Sequence, residues 1–154
     1  VGEEGKAYSL IELVADETIA ALCAEAIGAM SVLNETTVEY CKTRKQFGQP
    51  IGKFQVLQHR MVDLCMLYEQ SVSMTYMDNL KLEEEDVERS KAASGAKVQI
   101  CNAAKFIGQS AVQLHGGMGM TDELNVGHYF KRLSMIETQL GNADHHLRKY
   151  SLAS

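Results

Sequence analysis

Few residues in this chain have the type and spacing to do chemistry, and most of them gather in two places. The first is Thr43-Arg44-Lys45-Gln46-Phe47-Gly48-Gln49-Pro50-Ile51-Gly52-Lys53-Phe54-Gln55, which holds the only proline, a basic pair and two phenylalanines. A guanidinium there can fork two donors onto a phosphate or carboxylate, which a lysine cannot copy. It can also simply complement the carbonyl end of a preceding helix, with Phe47 and Phe54 plugging the end of a bundle. The second place is Gln113-Leu114-His115-Gly116-Gly117-Met118-Gly119. Bare backbone there can come close to a ligand, and it can equally be an ordinary glycine helix stop.

Other reactive types read as structural. His145 and His146 point about 100° apart on a helix, unlike the i, i+4 spacing of paired helical metal ligands, and nothing nearby in sequence completes a tetrahedral set. No metal site is expected. His59, His115 and His128 read as polar or capping residues. Cys23, Cys41, Cys65 and Cys101 form no Cys-x-x-Cys, and each lies in an apolar helical run, so buried free thiols in a reducing compartment are expected. The eight methionines read as adaptable packing, some of them facing a partner subunit.

The elements that must position these residues are helical. Leu10, Leu13, Val14, Ala21, Leu22, Ile27, Met30 and Leu33 recur near a 3.6-residue period, predicting a first helix from about Ser9 to Thr43. Ser9 and Glu12 match a capping box, and Gly28 reads as a point of close helix approach. A second helix is expected from about Phe54 to Glu84. After the acidic run Glu83-Glu84-Glu85-Asp86, a third is expected over about Val87–His115, capped by Asp86 or Ser90. A short helix near Leu124–Phe130 and a last one over about Met135–Tyr150 complete the set. No segment alternates like a strand. The expected architecture is all-α: an antiparallel four-helix bundle with a short additional C-terminal helix.

Composition bounds function. At 154 residues the length fits one domain, and the 45% apolar and 23% charged content is that of a globular chain. A net charge of −5 argues against a nucleic-acid footprint, and no apolar run reaches the length of a membrane span. No signal-peptide pattern opens the chain, which reads as beginning mid-protein. Cytoplasm is expected, or the mitochondrial matrix if the source is eukaryotic.

Together, Arg44-Lys45-Gln46-Phe47-Gly48, Phe54-Gln55 and Gln113-Leu114-His115-Gly116-Gly117-Met118-Gly119 resemble the two signature regions of the acyl-CoA dehydrogenase family. Val1-Gly2-Glu3-Glu4-Gly5 resembles that family's connector out of its β-domain. Lys131-Arg132-Leu133 and Asp144-His145-His146-Leu147 resemble bacterial members, some with two kinds of subunit. The resemblance covers the whole chain but only the C-terminal third of a usual member. It divides the chain into a linker, residues 1–8, and the C-terminal helical domain, residues 9–154.

The resemblance implies FAD bound across a dimer interface, with tetramers built as dimers of dimers. Arg44 would meet the pyrophosphate held by the neighbouring subunit. Gln46 and Phe47 would line the cofactor, with Ile51 and Leu57 as apolar walls. Gln113 and the backbone of Gly116 and Gly117 would hold the ADP half. The implied reaction is oxidation of an acyl-CoA thioester to a 2-enoyl-CoA, with a glutamate removing the α-proton. Here the chain departs from the pattern. Leu140 stands at the usual glutamate position, and Thr18 at the alternative position on the first helix, with Asp16 and Glu17 beside it. Leucine accepts no proton. Glu17 points about 100° away from Thr18 on a regular helix. Two readings follow: the FAD-binding domain of a dehydrogenase, or a partner subunit of a heteromeric one that lacks the base. A helical oligomerisation module without ligand is the third.

Overall fold

A computed structural model describes residues 3–153; the Val1-Gly2 part of the expected connector lies outside the described residues. Helix α1 spans Tyr8–Thr43, α2 Gln55–Leu80, α3 Asp86–His115, α4 Val126–Thr138 and α5 Ala143–Leu152. Helices α1 to α4 form the expected bundle, and α5 packs on α3 at its side. Single 3-10 turns at Ile51–Lys53 and Gly116–Met120 lead into and out of the long helices. No described helix is long and apolar enough to cross a membrane.

Helix α3 is the axis. Its alanines, among them Ala93, Ala96, Ala103, Ala104 and Ala111, let the other helices approach closely, and sixteen of its thirty residues are buried. An added Cβ at Gly108 would sit 2.9 Å from Phe130 Cδ2, so glycine there seats α4. The core runs from Ile19, Cys23, Met30 and Leu33 of α1 through Ile100 and Ile107 to Val126, Leu133 and Ile136 of α4. Helix α2 is different. Only Leu64, Ser71, Thr75 and Asp78 of its twenty-six residues are buried.

Several sequence expectations need correction. Ser9 does not cap α1: the helix starts at Tyr8 with Ala7 at the N-cap and no side-chain hydrogen bond. Helix α2 ends at Leu80, four residues before Glu84. Consecutive carboxylates oppose the carbonyl end of a helix and favour the amide end, so the acidic run precedes α3 instead of ending α2. Neither Asp86 nor Ser90 caps α3; Asp86 lies in its first turn and pairs with Arg89 at 2.7 Å. The last two helices divide at a different place. Residues 135–150 do not form one helix, because Leu140 (φ +55°) and Gly141 (φ +105°) turn the chain and Asn142 caps α5 by accepting from His145 N at 3.0 Å. One two-residue antiparallel hairpin, Lys45–Gln46 with Gln49–Pro50, interrupts the helices.

Two single residues also differ. Cys65 is exposed on α2, while Cys23, Cys41 and Cys101 are buried and all four thiols are free. Gly28 is exposed, with nothing within 4 Å of an added Cβ, so it admits no neighbouring helix. Gly28→Ala is expected to stabilise the fold by about 0.5–1 kcal/mol in urea unfolding, through helix propensity alone.

Candidate functional site

The first corner is built by the hairpin after α1. Arg44 N donates to Tyr40 O at 2.8 Å, ending the helix, and Ile51 N donates back to Arg44 O at 2.8 Å. Two residues, Phe47 and Gly48, make the turn between the strands, and both have positive φ, 52° and 80°. Such turns favour Asn-Gly; a phenylalanine in the left-handed region is strained. Phe47 is nevertheless 91% exposed, its ring edge-on to that of Phe54 at 6.1 Å between centroids. Gly52 packs the corner onto α1: an added Cβ would lie 3.0 Å from Cys41 O. The fold therefore holds an aromatic side chain out in solvent at a strained position, beside a guanidinium. Arg44 is exposed and has no acidic partner among the described residues.

The second corner ends α3. Gly116 adopts φ 60°, ψ −137°, open to glycine alone, and so provides the stop. Gly117 is another matter. It has no positive φ and nothing within 4 Å of an added Cβ, so neither backbone nor packing within this chain demands a glycine. A bare backbone that the fold does not need is what the close approach of an outside group would require.

Tyr40 joins the two corners. Its ring lies 4.3 Å from that of His115, and its hydroxyl donates to His115 O at 3.4 Å. His115 is buried, with Nδ1 donating to Ala111 O at 2.8 Å. A cavity of about 440 Å³, lined by Tyr40, Thr43, His115 and Leu124, opens between the ends of α1 and α3. Arg44, Gln46 and Phe47 thus share one end of the bundle with Gln113, Gly116 and Gly117, and all six are exposed. Ile51 and Leu57 are half-buried and pack on this chain's own core. Tyr40 was not singled out in the sequence, although it stands one helical turn before Arg44.

The residues weighed as proton acceptors are elsewhere. Glu17 and Thr18 are exposed on α1, and the Thr18 hydroxyl donates back to Val14 O at 2.6 Å. Asp16 is fully buried, accepting from Arg89 Nε at 3.3 Å and Lys149 Nζ at 3.4 Å, so it is a structural anion. Leu140 sits in the α4–α5 corner, 45% exposed. That corner is held by two buried side chains, Lys97, which the sequence does not single out, and His146, which the sequence reads as structural. Lys97 donates to Gln139 O at 2.9 Å and also to Ile136 O. His146 Nε2 donates to Leu140 O at 2.9 Å, and its Nδ1 lies 3.3 Å from Ser94 Oγ. Burial pulls the His146 pKa down to about 4, so the ring is a neutral brace, stacked edge-on with His145. Arg132 forks onto Glu25 at 2.5 and 2.6 Å, tying α4 to α1.

Comparison with known proteins bears on the fold and the family. The profile of the acyl-CoA dehydrogenase C-terminal domain matches residues 14–150. Acyl-CoA dehydrogenase IpdE2 of Mycolicibacterium smegmatis is 35% identical over 136 residues, 88% of this chain and 42% of that protein. Butyryl-CoA dehydrogenase of Megasphaera elsdenii superposes with a TM-score of 0.89 at 28% identity, covering 99% of this chain and 39% of that one. PigA with FAD and proline superposes with a TM-score of 0.82 at 27% identity, covering 90% and 36%. The chain belongs to the acyl-CoA dehydrogenase family, as its C-terminal helical domain. It spans about two-fifths of the length of these relatives.

Proposed function

We propose that this domain completes an FAD site in an acyl-CoA dehydrogenase that oxidises acyl-CoA thioesters to 2-enoyl-CoA, the cofactor being held mainly by a neighbouring subunit of a dimer or tetramer. The observation that carries it is Gly117, a glycine the fold does not need, at the same bundle end as the Arg44 guanidinium, which has no acidic partner among the described residues, and the strained, solvent-facing ring of Phe47. Arg44 would clamp the diphosphate, and Gln46 and Phe47 would line the cofactor. Gln113 with the Gly116 and Gly117 backbone would hold the ADP half. Ile51 and Leu57 would back the hairpin from inside rather than form a free wall. When bound, FAD supplies the acceptor for the hydride leaving Cβ. A relative whose structure contains FAD supports the cofactor assignment. Four free thiols fit a reducing compartment, cytoplasm or mitochondrial matrix.

The second reading, a subunit of a heteromeric enzyme that lends its half-site without a base, is favoured by one observation. The α4–α5 corner is fully built, yet carries a leucine at 140 and no carboxylate at 18.

The test is flavin affinity of the full-length protein. Arg44→Ala is expected to weaken FAD about 10- to 100-fold, the range of a lost charge-assisted hydrogen bond. Gly117→Ala should weaken FAD while leaving unfolding stability within about 0.5 kcal/mol, since no atom is displaced and no φ is strained. Unchanged flavin affinity in both variants sinks the proposal. Turnover with acyl-CoA thioesters and a dye acceptor, alone or only with a homologous subunit, separates the two readings.

A further inference from the structure

Helix α2 is anchored differently along its two halves. The first half meets the core through Leu57, Met61 and Leu64, and Gln58 Nε2 donates to Gly52 O at 2.9 Å. Asn34 Nδ2 of α1 donates to Leu64 O at 3.3 Å. In the second half the enclosed positions are Ser71, Thr75 and Asp78, at i, i+4 and i+7 on one face, and none is apolar. From Ser71 to Leu80 only Met74 adds apolar support to the core, and it is half-buried.

The polar stripe loses its partners toward the helix end. Ser71 Oγ donates to Leu67 O at 2.7 Å and accepts from Gln99 Nε2 of α3 at 3.4 Å. Thr75 Oγ1 and both Asp78 carboxylate oxygens have no partner among the described residues. A cavity of about 470 Å³, lined by Ala24, Ile27, Val72, Thr75 and Asn79 among others, keeps α1 and α2 apart beside this stretch.

The groups around Asp78 do not compensate its charge. From α1, Asp16 adds a second anion and Cys23 a buried thiol. Arg89 of α3 and Lys149 of α5 are committed to Asp16 at 3.3 and 3.4 Å, and Arg89 also to Asp86. Lys97 of α3 donates to Ile136 O and Gln139 O, and Lys81, one turn after Asp78, pairs with Glu84 at 3.5 Å. Burial first, and the Asp16 charge second, hold the Asp78 proton on well above the usual carboxylate range. A carboxylate ionised here has to reach water, and the weakly anchored half of α2 is the part of the bundle that yields most easily.

We infer that Asp78 is a proton-operated latch on the second half of α2: protonated, it lets residues 71–80 lie against α1 and α3, and on losing its proton it releases them locally while the rest of the bundle, the Arg44 hairpin included, stays packed. The inference is independent of the cofactor assignment. In the released state Asp78 is hydrated and ionises near its ordinary value of about 4, whereas the latched state keeps the proton to higher pH. Release is therefore least favoured below pH 4, grows as pH rises toward 7, and levels off above it.

Hydrogen exchange of the full-length protein, read by mass spectrometry from pH 4 to 8 and divided by the intrinsic rate at each pH, tests it. Protection of the amides of residues 71–80 is expected to fall about 100- to 1,000-fold between pH 4 and 7, while α1 and α3 keep theirs within about threefold. Asp78→Asn should remove this pH dependence without lowering protection at pH 4. Thr75→Val, which deletes an unpartnered hydroxyl, should raise protection of the same segment at every pH and leave the slope unchanged. If Asp78→Asn does not fold, the wild-type profile and Thr75→Val decide. Wild-type protection that is flat with pH overturns the inference. So does a fall shared equally by α1 and α3, which is global unfolding, or a slope that survives Asp78→Asn.

Discussion

Asp78→Asn is expected to stabilise the protein increasingly as pH rises, by an amount near zero at pH 4 and about 2–4 kcal/mol above pH 7. Asp78 is fully buried on α2, and neither carboxylate oxygen has a hydrogen-bond partner. Burial first, and the charge of Asp16 second, push its pKa from 3.8 up to about 7. The neighbouring Cys23 thiol is pushed up to about 12, again by burial first and then by the Asp78 charge. For an acid raised in the folded state there is no penalty below the unfolded value. The penalty grows between pH 4 and 7, as the unfolded chain ionises and the folded one does not, and is complete above 7. His146 works in the opposite direction. Its folded pKa near 4 lies below 6.5, so its stability is fully present above pH 6.5 and is lost as pH falls toward 4. The two slopes offset each other over that window. Wild-type stability should therefore be nearly flat between pH 4 and 6.5 in urea titrations, whereas Asp78→Asn should climb across it. Parallel curves for the two proteins would show that Asp78 is not held neutral by the fold.

The second large effect is at the α4–α5 corner. Gly141→Ala is expected to cost about 2–4 kcal/mol and to lower Tm by roughly 5–15 °C. Two causes add. Gly141 has φ +105°, which side-chain-bearing residues rarely adopt, and an added Cβ would stand 2.6 Å from His145 Cδ2 and 3.1 Å from His146 Nε2. The exposed His145 ring can swing aside. His146 has no such freedom, because it is buried between Leu140 O and Ser94. Moving it breaks the hydrogen bond that holds the corner. Leu140→Gly, one residue earlier, should change stability by less than about 1 kcal/mol, since relief of a left-handed leucine offsets the entropy glycine adds to the unfolded chain. Differential scanning calorimetry of the two variants measures the contrast, and an equal loss in both would refute this account of the corner.

The long helices are legible in the sequence because their apolar period runs uninterrupted for several turns, and that period together with the polar and glycine residues flanking it places α1 and α3 to within a residue, although the expected caps do not form. The end of α2 and the α4–α5 break were misread for a common reason: local signals compete there. An acidic run fits either the tail of one helix or the head of the next, and only the carbonyl-end penalty decides. Gly141-Asn142 is a stop-and-cap pair inside an otherwise periodic segment, where the period alone predicts one helix. The two candidate corners could be located by residue type. Their common position at one bundle end could not, since it depends on Tyr40 meeting His115 across 75 residues of chain. Lys97 and Asp78 were invisible for a similar reason. Each sits at a position where a helix pattern permits a polar residue on a boundary, and only the packing of four helices closes that boundary.

The Tyr40–His115 contact has a mechanical consequence. It fastens the last turn of α1 to the last turn of α3, so the loops that leave those turns cannot drift independently. Any group that docks on both corners would meet a jaw already set, the ordering entropy that two free loops would lose on docking having been lost beforehand, when the chain folded.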